Sequence, residues 1–423
     1  MSGRTLTEWL HYQENLHPSS IDLGLERVQA VWRRVSSDTG EIECPVIVVG
    51  GTNGKGSTIA FLETIYLQAG YRPVVYTSPH IDLYNERIRI AGKNVTDQQL
   101  IDAFEVIQLA RGDTSLSYFE FGTLAALYIS VMTAPDILIL EVGLGGRLDA
   151  VNILQHDIAI ITNIAMDHME WLGDNLQDIA VEKAGIARRQ RPLILADTEM
   201  PASIYAQAKK TGANEIRLGR DILIEKAEVG WQYHYANNHY NDLPLPAIPG
   251  NHQLKNAAAA ICAINCLQSR LAVDEVAIYA ALLKARLAGR FEKISSQPDI
   301  YLDVAHNPAA AETLSGMIRG MNTTGRWIAI LALQRNRDPE PFIAPLLDDI
   351  DSWYATEMSN DLGHSAAILA GALLESRPDI KVKQTPRIDE AIKDAQQAAD
   401  AQDHIIVLGS FYTVSEARAA LHV

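Results

Sequence analysis

Short apolar runs alternate with stretches of helical periodicity along most of the chain. In the first half, apolar runs rich in β-branched residues fall at 45–50, 72–77, 136–142, 157–164 and 192–196. Between them, apolar residues recur with the spacing of amphipathic helices, as at 97–111, 120–133 and 175–189. Strands that alternate with helices build βαβ units, so the pattern predicts an α/β fold whose large, mostly parallel sheet is flanked by helices.

The pattern changes after residue 218. Residues 219–243 alternate aromatic and polar side chains, which predicts an antiparallel excursion. Ala288–Phe291 interrupts the later helical periodicity, and a second series of strand-like runs follows at 299–304, 327–333, 379–383 and 404–409. We therefore predict two domains, residues 1–287 and a smaller C-terminal α/β domain of residues 288–423.

The composition is that of an ordinary globular protein, with 48% apolar and 21% charged residues among 423. The formal net charge of −16 argues against a nucleic-acid or anionic-membrane surface, because both require a basic face. The three cysteines imply no disulfide framework. No signal-peptide core and no run of 18 apolar residues is present. We expect a cytoplasmic monomer without nucleic-acid or membrane partners.

The most informative segment is the glycine-rich turn after the first apolar run. It consists of Gly51, Thr52, Asn53, Gly54, Lys55, Gly56, Ser57 and Thr58, and a helix is predicted at 58–69. A strand, a glycine turn and a helix N-terminus direct backbone N–H groups at an anion, which predicts a phosphate-binding loop. Lys55 would lie on the terminal phosphates, and Ser57 or Thr58 would bind magnesium. The glycine between Lys55 and Ser57 departs from GxxxxGK[ST], and many such turns are only tight strand-to-helix connections.

Polar residues follow three other apolar runs, at the strand ends where ligands of parallel sheets gather. Glu141 closes one run, and an acidic residue there holds magnesium in many nucleotide enzymes, although it could also cap the glycine turn that follows. His168 and Ser78 follow two further runs and are candidate second and third ligands. The alternative for His168 is an ordinary polar role.

Three other positions carry possible chemistry. Lys183, on the predicted helix 175–189, is a surface lysine on composition alone. Asp303 and His306 end the first run of the second domain and suit a nucleotide or second-substrate contact, although Asn-Pro is also an ordinary helix start. Arg290 stands at the domain junction, where its guanidinium could clamp a phosphate or form a salt bridge.

Ten segments together resemble one enzyme family over nearly the whole chain. They occur in the order GTNGKGST, TSPH, YFEFGTLAAL, LEVGLGGRLDAVN, DHMEWLG, EKAGI, GNHQLKNAA, AGRF, DVAHNP and GSFYTV. The set resembles the bacterial dihydrofolate synthase/folylpolyglutamate synthase family of the Mur ligase superfamily. GTNGKGS alone would indicate only the superfamily.

The resemblance implies an ATP-dependent amide ligase. The γ-phosphate passes to a substrate carboxylate, and the amine of L-glutamate attacks the resulting acyl phosphate. The carboxylate belongs to dihydropteroate in one reaction and to the glutamate tail of a reduced folate in the other. Two Mg²⁺ ions and Lys55 would neutralise the phosphates. Residues 1–287 would be the ATP-binding central domain with the pterin site, and 288–423 the glutamate-ligase domain.

The resemblance also implies a role for each site residue. Ser57 and the loop glycines resemble the phosphate cradle, Ser78 and Glu141 resemble ligands of one magnesium ion, and Glu141 and His168 resemble ligands of the second. The lysine matching Lys183 is carbamylated in the family and acts as an anionic donor near the second metal. The implied substrate contacts are Asn256, Arg290, Asp303 and His306 for the nucleotide, Ser117, Phe119 and Asp149 for the pterin, and Ser410 for the incoming glutamate.

Three alternatives stay open. A Mur ligase for UDP-linked cell-wall precursors would carry a UDP-sugar domain before the loop, and only about 45 residues precede it. A folylpolyglutamate synthase without dihydrofolate synthase activity is a closer alternative, against which the pterin segment argues. A non-catalytic nucleotide-binding regulator would be expected to lack Glu141, His168 or Lys183, and all three are present.

Overall fold

The computed structural model describes residues 3–19, 22–321 and 323–423. The chain forms two compact units. The first unit holds the chain up to Ala247 together with Gln253–Arg286, and the second holds Ile248–His252 and Leu287–Val423. Within the described ranges, no helix is both long enough and apolar enough to span a membrane.

An eight-stranded sheet organises the first unit. Its strands are β1 (Val46–Gly50), β2 (Pro73–Tyr76), β3 (Ile88–Ile90), β4 (Lys93–Asn94), β5 (Ile137–Glu141), β6 (Ile158–Ile161), β7 (Pro192–Leu195) and β8 (Asn214–Arg217). They lie in the order β4-β3-β2-β5-β1-β6-β7-β8. The six strands from β2 to β8 are parallel, whereas β3 and β4 form an antiparallel edge. β1 is therefore hydrogen-bonded on both sides, by β5 and by β6.

Ten helices accompany this sheet. They are α1 (Leu6–Glu14), α2 (Glu26–Thr39), α3 (Lys55–Gln68), α4 (Asp97–Arg111), α5 (Tyr118–Thr133), α6 (Met169–Leu172), α7 (Leu176–Ala184), α8 (Ala202–Thr211), α9 (Gln253–Cys266) and α10 (Glu275–Lys284). Two 3-10 helices lie at Tyr84–Arg87 and Ala150–Ile153. α3 packs on β1, β2 and β5, and α9 packs on β6 and β7. The sheet flanked by helices confirms the predicted fold class.

The predicted antiparallel excursion is also confirmed. β9 (Ile222–Lys226), β10 (Trp231–Tyr235) and β11 (Asn238–Leu243) form a separate antiparallel sheet with β10 in the middle. Trp231 and Tyr233 are buried while Gln232 between them is exposed, as expected of a sheet with one packed face.

The second unit is a smaller α/β layer. Its strands are β12 (Glu292–Ser295), β13 (Asp299–Asp303), β14 (Trp327–Leu331), β15 (Ser352–Thr356), β16 (Lys381–Thr385) and β17 (His404–Leu408), in the order β12-β13-β17-β14-β15-β16. Only β12 is antiparallel. Its helices are α11 (Pro308–Gly320), α12 (Pro339–Ile343), α13 (Ala366–Ser376), α14 (Ile388–Ala398) and α15 (Phe411–Leu421).

Two helix boundaries differ from the predictions by three residues or more, and both differences concern the site. α3 begins at Lys55 instead of residue 58, because Gly54 adopts a left-handed conformation that ends the loop there. α7 ends at Ala184 instead of residue 189, and Gly185 follows it against Arg147. The first difference places Lys55, Ser57 and Thr58 within the first turn of a helix.

Candidate active site

The loop predicted to bind phosphate (the phosphate loop) follows β1 and is hydrogen-bonded to the segment after β6. Gly51 and Gly54 have φ of +133° and +85°. The Thr52 N–H donates to Asn163 O at 3.0 Å, and the Asn53 N–H donates to Asn163 Oδ1 at 2.8 Å. The Thr162 hydroxyl donates to Asn53 O at 2.6 Å. The loop is thus fixed to the segment after β6 before any ligand binds.

Neither loop glycine leaves room for a side chain. A Cβ on Gly51 would overlap the Thr162 side chain, and a Cβ on Gly54 would lie 2.7 Å from Asn256 Oδ1. This close approach places Asn256, on α9, against the loop. The Thr58 hydroxyl donates to Gly54 O at 3.0 Å. Of the two hydroxyls proposed as magnesium ligands, Thr58 is therefore engaged by its own helix.

Two lysine side chains meet at one backbone carbonyl. Lys183 Nζ donates to Gly51 O at 2.9 Å, and Lys55 Nζ donates to the same oxygen at 3.2 Å. Lys183 is buried, so the surface position expected from composition is wrong. Burial, and then the charge of Lys55, lower the pKa of Lys183 to about 7. A large neutral fraction of this amine is therefore present near neutral pH.

Close packing of glycines explains why α7 turns Lys183 inward. A Cβ on Gly185 would lie 2.6 Å from the Cα of Arg147, and a Cβ on Gly146 would lie 2.9 Å from Lys183 O. The Arg147 N–H also donates to Glu182 O at 2.9 Å. α7 therefore lies directly on the segment after β5, which directs Lys183 toward the phosphate loop.

Two of the proposed metal ligands lie at the carboxyl ends of neighbouring strands. Glu141 is the last residue of β5, is buried, and accepts the Ser78 N–H at 3.1 Å. Ser78 follows β2, the strand beside β5. His168 precedes α6 with φ of +51° and lies next to the buried Asp167. Glu141 and Ser78 are in contact, and His168 lines a cavity together with Ser78.

The donor atoms fit a magnesium ion held jointly with phosphates. In the described part of the chain, no three His, Cys, Asp or Glu side chains are close enough to hold a metal on their own. Magnesium usually takes one or two carboxylates and completes its octahedron with water and substrate phosphates. Glu141, with the hydroxyl of the adjoining Ser78, supplies that limited set of oxygen donors.

A cavity of about 270 Å³ lies beside these residues. Phe119, Ser117, Asp149, Ser78 and His168 all line it. It therefore brings together the three residues predicted for the pterin and two of those predicted for magnesium.

The polar groups of this cavity are positioned by backbone amides. The Asp149 carboxylate accepts the Leu144 N–H at 2.8 Å and the Val151 N–H at 3.0 Å. Burial nevertheless raises the pKa of Asp149 to about 6. The Ser117 hydroxyl accepts the Glu120 N–H at 3.3 Å and caps α5. Ser117 therefore already has a structural role at the cavity wall.

In the second unit, the predicted residues Arg290, Asp303 and His306 lie near one another. The Asp303 carboxylate accepts the Phe291 N–H and the Ala305 N–H, both at 2.8 Å, and burial raises its pKa although Arg290 opposes this. The Arg290 guanidinium lies 5.7 Å, and the His306 ring 6.2 Å, from the ring of Phe411.

Ser410 lies just before α15 in the same unit. Its hydroxyl accepts the Thr413 N–H at 3.0 Å and is buried. The side chain caps its helix, so its hydroxyl is held in place from within the unit.

Some cavity residues were missed by the sequence predictions. Arg87 and Asp22 line the cavity, as does the buried Glu120, which forms an ion pair with Arg27. Arg87 lies in Asn-Glu-Arg-Ile, which has the appearance of an ordinary charged turn. Its one sequence signal is its place just after the predicted strand end that carries Ser78.

Comparison with known proteins gives full-length matches. Residues 49–264 match the Mur ligase middle domain, and residues 289–411 match the Mur ligase glutamate ligase domain. The dihydrofolate synthase/folylpolyglutamate synthase of Escherichia coli (strain K12) is 40% identical over 412 residues, which are 97% of this chain and 94% of that protein.

Two solved structures share the fold over both units. The structure of E. coli FolC in complex with DHPP and ADP has a TM-score of 0.94 at 39% identity and covers 99% of this chain and 98% of that one. A bifunctional folylpolyglutamate synthase/dihydrofolate synthase with Mn, AMPPNP and L-glutamate bound has a TM-score of 0.91 at 39% identity, with coverages of 100% and 99%. From these matches and the order of its site segments, the chain belongs to the Mur ligase superfamily and, within it, to the dihydrofolate synthase/folylpolyglutamate synthase family.

Proposed function

We propose that this protein is an ATP-dependent ligase that joins L-glutamate to dihydropteroate, giving dihydrofolate, and to the glutamate tail of reduced folates. The main support is a single cavity that is lined by two residues predicted for the pterin, Phe119 and Asp149. The same cavity is lined by Ser78 and His168, which are predicted to bind magnesium. An acceptor whose ring lies on Phe119 would present its carboxylate toward the proposed metal ligands. A cytoplasmic location and a monomeric state remain predictions of the sequence.

The nucleotide half of the proposal rests on the phosphate loop. ATP supplies the phosphoryl group that activates the carboxylate, and magnesium neutralises charge during that transfer. The N–H groups of the first turn of α3 would hold the phosphates, and Lys55 would reach the terminal ones. Ser57 and Ser78 would add oxygen donors beside Glu141, with His168 on the second ion. A carbamate on Lys183 would provide the remaining anionic donor.

The second unit carries most of the residues that the proposal assigns to the nucleotide and to the incoming glutamate. We assign nucleotide contacts to Arg290, Asp303 and His306 in this unit and, separately, to Asn256 in the first unit. The support is local: Asp303 fixes the turn that carries Arg290, and Arg290 and His306 both lie beside Phe411. Ser410, at the start of α15, is assigned to the vicinity of the incoming glutamate. The solved relatives with ADP, AMPPNP, Mn and L-glutamate support this set of ligands.

The first test is ADP release with ATP, magnesium and L-glutamate, comparing dihydropteroate with tetrahydrofolate as the acceptor. We expect turnover with both, because a single cavity serves the ring that the two acceptors share. Turnover with tetrahydrofolate alone would identify a folylpolyglutamate synthase without dihydrofolate synthase activity. Lack of turnover with both would overturn the proposal.

The pKa of Asp149 gives a pH-dependent prediction. As the ionised form, this carboxylate accepts hydrogen bonds from the amino edge of a pterin. We expect the KM for dihydropteroate to rise as the pH falls through about 6, where Asp149 becomes protonated. On folding the pKa rises from 3.8 to about 6, so ionisation lowers stability as the pH rises through that interval while it permits binding.

The measurement is KM against pH from 5 to 8 for the wild type and for Asp149→Asn. The substitution should raise KM at pH 8 and flatten the profile, whereas Asp113→Asn, at an exposed position, should leave the profile unchanged. An Asp149→Asn protein that keeps the wild-type profile would contradict the assignment.

A further inference from the structure

Arg87 is a buried arginine that lines the cavity proposed to hold the acceptor. It ends the 3-10 helix before β3 and is only 8% exposed. Its carbonyl accepts the Thr77 N–H at 2.8 Å, which ties it to the residue before Ser78. It lines the cavity together with Ser78, Phe119 and Asp149.

The protein groups that contact this guanidinium are neutral. Arg87 Nε donates to Nδ1 of His80 at 2.9 Å, and a ring nitrogen that accepts a hydrogen bond is unprotonated. The guanidinium carbon lies 5.1 Å from the ring centroid of Tyr84 and 5.3 Å from that of Tyr118. Within the described ranges, no carboxylate forms an ion pair with Arg87. Its neighbour Glu86 instead accepts the N–H groups of residues 81–83.

Arg89, two residues along, is a partly buried arginine whose charge is paired with a carboxylate. Its guanidinium forms three hydrogen bonds of 2.8–3.1 Å with the carboxylate of Glu63. The two arginines therefore differ in whether the protein compensates their charge. The charge of Arg89 is compensated by the protein, and the charge of Arg87 is not.

A buried charge without a counter-ion is unfavourable, because arginine remains protonated and cannot become neutral. Contacts with aromatic faces recover only part of that loss. An anion in the cavity would compensate the charge, and a guanidinium forms its best paired hydrogen bonds with a carboxylate. The acceptors in the proposed function each carry such a group at the end that reacts.

We propose that Arg87 binds a carboxylate of the acceptor and so selects acceptors that carry this charge. The inference rests on the proposed function and adds a specificity residue to it. The carboxylate is held at the side of the cavity near Ser78, where the phosphoryl group must arrive.

Equilibrium binding tests this without turnover. The probes are dihydropteroate and the same pterin with a carboxamide in place of the carboxylate, titrated into the full-length protein with ADP and magnesium. The wild type should bind the acid about 10- to 100-fold more tightly, the range of one charged hydrogen-bonded contact. In Arg87→Gln this preference should fall to about twofold or less, with carboxamide affinity nearly unchanged.

Arg89→Gln is the matched control and should keep the wild-type ratio of the two affinities. Arg87→Lys, which keeps the charge but loses the planar fork, should give an intermediate ratio and serves if the glutamine variant does not fold. If Arg87→Gln weakened the binding of both probes equally, Arg87 would contact the ring and not the carboxylate, and the proposal would be overturned. If both affinities stayed at the wild-type values, Arg87 would only pack against the rings of Tyr84 and Tyr118, which would also overturn it. A wild type that binds neither probe would instead contradict the proposed function itself.

Discussion

Replacing Lys183 with alanine is expected to lower the rate of ADP release by about a hundredfold to a thousandfold, the range found when one charge-stabilising group is removed from a reacting centre. The amine is buried beside the phosphate loop and donates to Gly51 O. With a pKa of about 7, it is substantially neutral at physiological pH. A neutral amine adds carbon dioxide to give a carbamate and a proton, and the carbamate would be the anionic donor beside the metal.

Carbon dioxide itself should then control the activity of the wild type. Depleting it should lower the rate, and bicarbonate should restore the rate, whereas Lys183→Ala should respond to neither. The folded-state pKa of Lys183 lies below the ordinary lysine value of 10.5, so in carbon-dioxide-free buffer the folded chain binds fewer protons than the unfolded chain between about pH 7 and 10.5. The unfolding free energy of the wild type should rise with pH over that window more steeply than that of the variant.

Lys209→Ala provides the control, since Lys209 is an exposed lysine on α8. It should retain the wild-type rate and its response to bicarbonate. A folded Lys183→Ala protein with full activity, established by circular dichroism and ADP release on the same sample, would contradict the carbamate.

Replacing Glu141 with glutamine should have an effect of comparable size through a different route. Val49 and Glu141 are register partners of β1 and β5, so the carboxylate lies beside the start of the phosphate loop. Glutamine has the same shape and can still accept the Ser78 N–H, but it removes the negative charge that binds magnesium. We expect kcat to fall by about a thousandfold and the magnesium concentration at half-maximal rate to rise.

The measurement is ADP release against magnesium concentration, with nucleotide binding without metal as a second readout. Metal-free nucleotide affinity should be unchanged, because glutamine keeps the shape of this side chain and the loop is held by Asn163 and Thr162. Glu312→Gln, at an exposed position on α11, should behave as wild type in both assays. An unaltered magnesium dependence in Glu141→Gln would remove Glu141 from the metal site.

The fold could be predicted where the strands are buried on both faces. β5 is a continuous apolar run up to Glu141 because it lies in the middle of a parallel sheet, and β14 in the second unit behaves in the same way. The edge strands β3 and β4 could not be predicted in this way, because they are short and carry polar residues. Their pairing with β2 depends on tertiary contacts that local patterns do not contain.

The candidate site residues that could be predicted from local patterns are those that come at the ends of strands. Glu141, Ser78 and the phosphate loop belong to that group, since the ends of adjacent parallel strands lie together. Lys183 and Arg87 do not belong to that group, because only their burial marks them as candidate site residues. Two glycines bring α7 against the segment after β5 and so bury Lys183, and a 3-10 helix places Arg87 in the cavity wall. From sequence alone, each is an ordinary charged residue.

The start of α3 has a consequence for the amount of enzyme as well as for its rate. α4 and α5 are capped by Thr96 and Ser117, but Gly54 gives α3 no side-chain cap. A glycine in place of a side-chain cap costs only about a few tenths of a kcal/mol, and the N–H groups left without a cap are those that a phosphate would bind.

A nucleotide that binds only the folded chain adds about 1.4 kcal/mol of stability for each tenfold rise in its free concentration above Kd. When cellular ATP falls, the enzyme therefore loses a partner that protects it from proteolysis, and its abundance would decline along with its substrate.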